Sequence, residues 1–240
     1  MNEIETQILP PTLVLGVCGH KGSGKSTIAE ILVNRHGFYE QTFAESLKDM
    51  VAAVFVWPRD WLDGKTEEHR KWREEIDPFW SKRLDLPLMS PRWTLQNIGT
   101  ETMRQHFHVD VWVASVEKKL MIQFGKMNED NTNRRVVLSD CRLNNEKDYI
   151  TRMGGIILRV HRKSVIKDDN HISEQEFMTF EGPNIVDIDN DGTIEDLHLA
   201  AVGALTKIHC QLYLNKIVNR CAKEIIECDA ILNWIKEQPK

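Results

Sequence analysis

The chain is apolar without interruption from Leu13 to Cys18, and the pattern then changes abruptly. A glycine-rich polar run leads to Lys25, after which Ile28, Ile31 and Leu32 recur at helical spacing until Gly37. The first stretch predicts a buried strand, and the second predicts a helix from Lys25 to about His36. Tyr39 to Phe43 predicts a short second strand, and Glu45 to Trp57 predicts a helix that Pro58 ends. Thr94 to His106, with Leu95, Ile98 and Met103 inward, predicts another helix. Gly99 in its middle is costly there and marks a close approach to a ligand or a neighbour. A helix from about Asp110 to Phe124 carries Val111, Trp112, Val116 and Leu120, and the polar run from Lys126 to Arg135 is a loop. Val136 to Asp140 reads as a buried strand ending in a carboxylate, followed by a helix from Leu143 to Met153 that Gly154 and Gly155 stop. Ile156 to Val160 and Asn184 to Ile188 read as two more strands, with Lys167 to Pro183 polar and loop-like between them. From Thr193 onward the chain reads as helical, and Leu214, Ile217, Val218, Cys221 and Ile225 form one apolar stripe. Strands alternating with helices predict an α/β fold, a parallel sheet covered by helices in three layers.

The polar run between the first strand and the first helix is Gly19-His20-Lys21-Gly22-Ser23-Gly24-Lys25-Ser26, which fits G-x-x-x-x-G-K-[ST] in full. Glycines let the backbone turn its N–H groups around phosphate oxygens, and the following helix presents its positive end. Gly19, Gly22, Ser23, Gly24, Lys25, Ser26 and Thr27 are therefore candidate ATP-binding residues. Lys25 would reach the β and γ phosphates, and the Ser26 hydroxyl would ligate Mg²⁺. The alternative is a glycine-rich turn that merely joins strand to helix.

Residues 58–92 change character, with five tryptophans from Trp57 to Trp93 counting both ends, mixed with Arg59, Arg70, Arg73, Lys82 and Arg83. Two readings stand level. Either the rings and guanidinium groups line a binding surface for base and phosphate, or the tryptophans pack on one another while the charges are solvated. Asp140, at the C-terminal end of its strand, belongs near the phosphate loop as a Mg²⁺ ligand, direct or through water, or as a cap for the helix after it. The cluster His161-Arg162-Lys163 suits triphosphate charge equally as it suits a solvated edge, and Arg162 is the candidate ATP contact. His171, Ser173 and Glu174 show no metal spacing. Asp189-Asn190-Asp191-Gly192 lacks the glutamate of a calcium loop and reads as an ordinary turn.

With 240 residues, 41% of them hydrophobic and 28% charged, one sizeable core is expected, and the net charge of −5 calls for neither nucleic acid nor anionic membrane as partner. The start, Met1 to Pro11, has two glutamates and no basic residue, unlike a secretory signal. The longest apolar run, Met50 to Trp57, is far short of the roughly 20 residues that span a bilayer, so a cytoplasmic protein is expected. Five cysteines, Cys18, Cys141, Cys210, Cys221 and Cys228, have no metal-binding spacing and are read as free thiols, most of them buried.

These residues together give the chain its resemblance to the bacteriophage deoxynucleoside monophosphate kinases, a branch of the P-loop NMP kinases, over about residues 13–205. The resemblance rests on GHKGSGKST, TFAESLKDMVAAVF, GKTEEHRKWRE, LQNIGTETMRQHFHVDVWV, VVLSDCRLNNE, GGIILRVHR and NHISE in that order. It implies a three-layer P-loop nucleoside triphosphate hydrolase fold, with a kinase core of residues 12–57 and 94–205, a helical acceptor-binding insertion of residues 58–93 and a C-terminal helical extension of residues 206–240. It implies transfer of the ATP γ-phosphoryl group to a deoxynucleoside 5′-monophosphate, with Mg²⁺. Lys21, Lys25 and Arg142 are then expected in catalysis, and Lys21, Arg70 or Arg73, Gly99, Trp112, Asp140 and Arg142 on the acceptor side. The terminal stripe would pack on the body or join a homodimer. Competing readings are a kinase of another phosphorylated small molecule such as phosphomevalonate, and a nucleotide-dependent switch or binding module. The tryptophans of the insertion, read as a stacking surface, favour a flat base as acceptor over an isoprenoid phosphate.

Overall fold

A computed structural model of the protein describes residues 12–124, 134–164 and 176–206, together with residues 210 and 214. In chain order the elements are β1 (Thr12–Gly19), α1 (Lys25–His36), β2 (Tyr39–Gln41), α2 (Glu45–Phe55), a 3₁₀ turn (Arg59–Asp63), α3 (Glu67–Glu74), α4 (Pro78–Leu84) and α5 (Pro91–Gln96). A π-helix (Asn97–Phe107), α6 (Val111–Phe124), β3 (Arg134–Leu138), α7 (Asn144–Arg152), β4 (Ile156–His161), a second 3₁₀ turn (Glu176–Thr179) and β5 (Ile185–Asp189) follow. The helix α8 covers residues 194–206. The motif at residues 170–174, most of the loop before β3 and the stripe beyond Leu214 lie outside the described residues.

All five strands are parallel, in the order β2-β3-β1-β4-β5. The uninterrupted apolar run of β1 is explained by its central place, because side chains on both of its faces are buried. Leu13, Leu15 and Val17 face one core, shared with Ile28 and Leu32 of α1 and with Leu197, Ala201 and Leu205 of α8. Val14 and Cys18 face a second core with Leu47 and Val51 of α2, Val116 and Leu120 of α6, and Tyr149 and Ile150 of α7. Two cores separated by one sheet make three layers, and the fold is the α/β P-loop fold that the sequence predicts. No helix among the described residues is long and apolar enough to cross a membrane.

Several boundaries differ from the sequence reading for local reasons. The second strand stops at Gln41, because the N–H groups of Phe43 and Ala44 leave the sheet direction and donate to the Asp140 carboxylate at 2.8 and 3.0 Å. Asp140 therefore caps the approach to α2 and not the helix after it. The start of α7 is held instead by Glu146, whose carboxylate accepts from the N–H groups of Arg142 and Leu143 at 2.7 and 3.2 Å. The predicted helix from Thr94 begins earlier, at Pro91 behind the Ser90 cap, and loosens to a π-helix from Asn97. In the stretch read as polar loop, Phe177 and Phe180 are buried, and the Arg159 guanidinium holds the carbonyls of Met178 and Phe180 at 3.0 Å each. Arg159 also clasps Asp187, and that hydrogen bond keeps the Asp187 carboxyl down at about 2.

Gly99 marks a close approach to a neighbour, since a Cβ there would lie 2.6 Å from Leu47 Cδ2. The π-helix packs against α2 at that point. Cys18 and Cys141 are buried free thiols, and burial pushes Cys18 up to about 12 and Cys141 well above its ordinary value. Neither is a nucleophile in this setting.

Candidate active site

The phosphate loop closes the C-terminal end of β1, where a parallel sheet of this kind opens its ligand crevice. Gly19, Gly22 and Gly24 all have positive φ. Two of them also leave no room for a side chain. A Cβ on Gly19 would lie 2.5 Å from Val160 O and 2.7 Å from Ser23 Oγ, and one on Gly24 would strike Asn190 Nδ2. The Ser23 hydroxyl is buried inside the loop with no hydrogen-bond partner among the described residues. A backbone cradle with a spare hydroxyl fits a phosphate group better than it fits a plain turn.

Lys25 folds over this cradle, its Nζ donating to Gly19 O at 2.5 Å and His20 O at 2.7 Å. Burial, with the Arg142 guanidinium next in weight, pulls its ammonium down to about 7. Lys25 is thus a cation held where its charge is poorly solvated, and an arriving polyanion restores that charge.

A cleft of about 800 Å³ runs from the loop across the sheet edge to the helical insertion. Its walls bring together Lys25, Ser26, Asp140, Arg142, Arg70, Arg73, Gly99 and Trp112 of the sequence prediction. Lys21 lines a smaller neighbouring cleft of about 440 Å³ with Glu67, Arg70, Lys71 and Glu74. Arg70 borders both spaces, steadied by Glu67 at 2.9 Å and by the carbonyls of Gly64 and Lys65. Thr27 lies in the first turn of α1 and is not on the cleft wall. Arg162 is exposed at the end of β4 and does not line the cleft. Its neighbours are paired at the sheet edge, His161 with Asp187 and Lys163 with Asp191 at 2.9 Å, which matches the solvated-edge reading of that cluster.

The insertion divides its two residue types between two places. Trp57 stacks on Phe55 at 4.8 Å and meets Trp72 edge-on, Trp72 meets Trp61, and Trp80 meets Phe55. Trp57 belongs to the core on the Val14 and Cys18 face of the sheet, Trp72 and Trp80 pack against it, and none of these rings lines the cleft. Packed in this way, the rings offer no stacking surface to a flat base in the cleft, contrary to the sequence expectation. The aromatic residues on the cleft are Phe43 and Trp112, the latter fixed by an indole N–H bond to Gly99 O at 3.0 Å. Arg59, Arg70, Arg73 and Arg92 reach the cleft, whereas Arg83 is exposed and is not on its wall. Arg73 is pulled below its ordinary value first by burial and then by the charge of Arg92, with Arg142 contributing, and its Nε is buried without a partner among the described residues. Lys25, Arg142, Arg73 and Arg92 gather along this wall, with the Glu74 carboxylate 3.5 Å from Arg92.

The sequence reading leaves Arg92, Arg104 and Lys48 of this wall unassigned. Arg92 precedes the helix that was read from Thr94, and nothing in residue type marks it. Arg104 is locked by Glu146 at 2.5 Å in a buried pair, and burial pushes the Glu146 carboxyl up while Arg104 draws it down. Lys48 and Arg59 share Asp63 at 3.0 and 2.8 Å, so their charges are matched within the protein.

A sequence model of the deoxynucleotide monophosphate kinase family matches residues 63–200. A curated relative, a putative deoxynucleotide monophosphate kinase of Acanthamoeba polyphaga mimivirus, is 30% identical over 191 residues, covering 78% of this chain and 92% of the relative. The chain belongs to the deoxynucleotide monophosphate kinase family. The family match begins beyond the phosphate loop. Among solved structures, a gluconokinase from Sinorhizobium meliloti 1021 is 14% identical, with a TM-score of 0.42, over 85% of this chain and 97% of that one. A sugar kinase from Janibacter sp. HTCC2649 is 16% identical, with a TM-score of 0.38, over 80% and 94%.

Proposed function

We propose that this deoxynucleotide monophosphate kinase family member transfers the γ-phosphoryl group of Mg·ATP to a deoxynucleoside 5′-monophosphate, giving ADP and the diphosphate. The observation that carries this reading is the single cleft that joins a phosphate loop at one end to an arginine cluster at the other. Two anionic substrates must meet in line, and the basic residues at both ends of the cleft offset their repulsion. Lys25 and the loop amides take the β and γ phosphates of ATP. Arg73, with its spare buried Nε and its cationic neighbours, is the better placed of the two insertion arginines to take the acceptor phosphate, while Arg70 stands at the border with Lys21. Arg142 lies between the two ends, near enough to depress both Lys25 and Arg73, and neutralises charge on the phosphoryl group in transit. The acceptor phosphate is already an anion, so no protein nucleophile is needed.

Ser26 and Asp140 both line the cleft beside the loop, and an alcohol with a carboxylate is an oxygen donor set that suits Mg²⁺. Both Asp140 oxygens already accept amide hydrogens, which favours contact with the ion through water. When bound, the ion neutralises charge on the phosphate oxygens.

The test is acceptor-dependent ADP release with Mg·ATP and each of dAMP, dCMP, dGMP, dTMP and 5-hydroxymethyl-dCMP, with AMP and phosphomevalonate as controls. Turnover with one or more deoxynucleotides supports the reading. Turnover with phosphomevalonate alone overturns the acceptor class.

The position of Lys25 adds a pH prediction. Its folded value of about 7 lies below the ordinary 10.5, so the unfolded chain binds more protons between these limits and the free protein gains stability from this group as pH rises through them. Bound triphosphate raises Lys25 again. At pH 8, ATP binding should therefore take up close to one proton, read by calorimetry in buffers of different ionisation enthalpy. Lys25→Arg should abolish the uptake, and equal heats in all buffers for the unaltered protein would contradict the assignment.

A further inference from the structure

The turn Asp189-Asn190-Asp191-Gly192 reads from sequence as a plain connection, but Asn190 is buried and sits directly behind the phosphate loop. Its Nδ2 donates to Ser23 O at 2.8 Å, while its own N–H donates to His161 O at 2.8 Å. The side chain thus ties the loop to the C-terminal end of β4. It occupies the space a Cβ of Gly24 would need, and Leu197 Cδ2 lies 3.7 Å from the same point. The turn itself is fixed by a reciprocal cap at the start of α8, with Thr193 N–H donating to Asp196 Oδ2 at 2.9 Å and Asp196 N–H donating to Thr193 Oγ1 at 3.2 Å. Farther along α8, His198 meets His36 at the end of α1, Nε2 to Nε2 at 2.9 Å, so helix, turn and loop are braced as one body.

The chemistry follows from peptide geometry. In a trans peptide the C=O of one residue and the N–H of the next point in opposite directions, and the described chain has no cis bond. Drawing Ser23 O back toward Asn190 turns the Gly24 N–H forward. Lys25 and Ser26, the two residues that follow Gly24, line the cleft, and Asn190 does not. We propose that Asn190 is a positioning residue for phosphate binding: by holding Ser23 O it aims the Gly24 amide at the ATP phosphates. The inference rests on the reading of the loop as the ATP site. It does not depend on which acceptor is used.

Asn190→Asp keeps the shape and replaces the donor with an oxygen facing Ser23 O, so the carbonyl loses its partner and is repelled. The expected result is a tenfold or greater loss of affinity for ADP and an equal rise in the KM for ATP, with the acceptor KM within twofold of its starting value. A general loss of packing would instead move both substrates together. The second measurement needs no variant: in ¹H–¹⁵N spectra of the full chain titrated with ADP, the Gly24 amide should be among the signals that shift most. Wild-type ADP affinity in Asn190→Asp, or a Gly24 amide unmoved at saturating ADP, overturns the proposal. If ADP binds and shifts Gly24 but no deoxynucleotide supports turnover, the kinase reading fails and the role of Asn190 stands.

Discussion

Lys25→Ala should lower turnover by about a thousandfold or more, while the thermal midpoint moves by no more than about 4 °C. The two halves of this expectation have separate causes. The ammonium is the charge nearest the loop cradle, and nothing else on the cleft wall replaces a donor that already sits on Gly19 O and His20 O. Its deletion leaves those carbonyls at the cleft, where water can reach them, and removes a cation that burial and Arg142 destabilise. Turnover near the starting value would remove the loop from the reaction. A large fall in midpoint would mean that Lys25 is a structural brace.

Arg142→Ala should reduce kcat by about a hundredfold or more while the affinity for ATP changes by less than about threefold. Arg142 stands between the loop and the insertion, and its backbone N–H is fixed by Glu146. A cation there interacts most strongly with the charge that develops during transfer, when neither substrate yet owns the phosphoryl group. Stopped-flow binding of a fluorescent ATP analogue beside steady-state kinetics separates the two effects. Unchanged kcat with weakened ATP binding would assign Arg142 to the ground state alone.

The parts of the molecule visible in the sequence are those set by neighbouring residues. The phosphate loop is one, because its glycines and its lysine are adjacent in the chain. The parallel sheet is another, since the uninterrupted run of β1 and the apolar β3 and β4 announce strands buried on both faces. What stayed hidden depends on partners far along the chain. Asp140 meets the amides of Phe43 and Ala44 across 97 and 96 positions, and Asn190 meets Ser23 across 167. No local pattern encodes either pairing. The insertion was ambiguous for a different reason. Tryptophan and arginine alternate through it, and composition does not tell which face each side chain takes; the structure turns the rings onto Phe55 and one another, and Arg59, Arg70, Arg73 and Arg92 toward the cleft. The π-helix hid behind its apolar spacing, which resembles an α-helix over a few turns, although Gly99 signalled the close packing against Leu47.

The most direct measurement of the central claim is the fate of the terminal phosphate. The protein is incubated with ATP labelled at the γ position, Mg²⁺ and the deoxynucleotide that best supports ADP release, and the products are separated by chromatography. The account predicts that the label appears in the deoxynucleoside diphosphate, in amounts equal to the ADP formed. Label released as inorganic phosphate, with the deoxynucleoside monophosphate unchanged, would make the protein a nucleotide hydrolase and contradict the account.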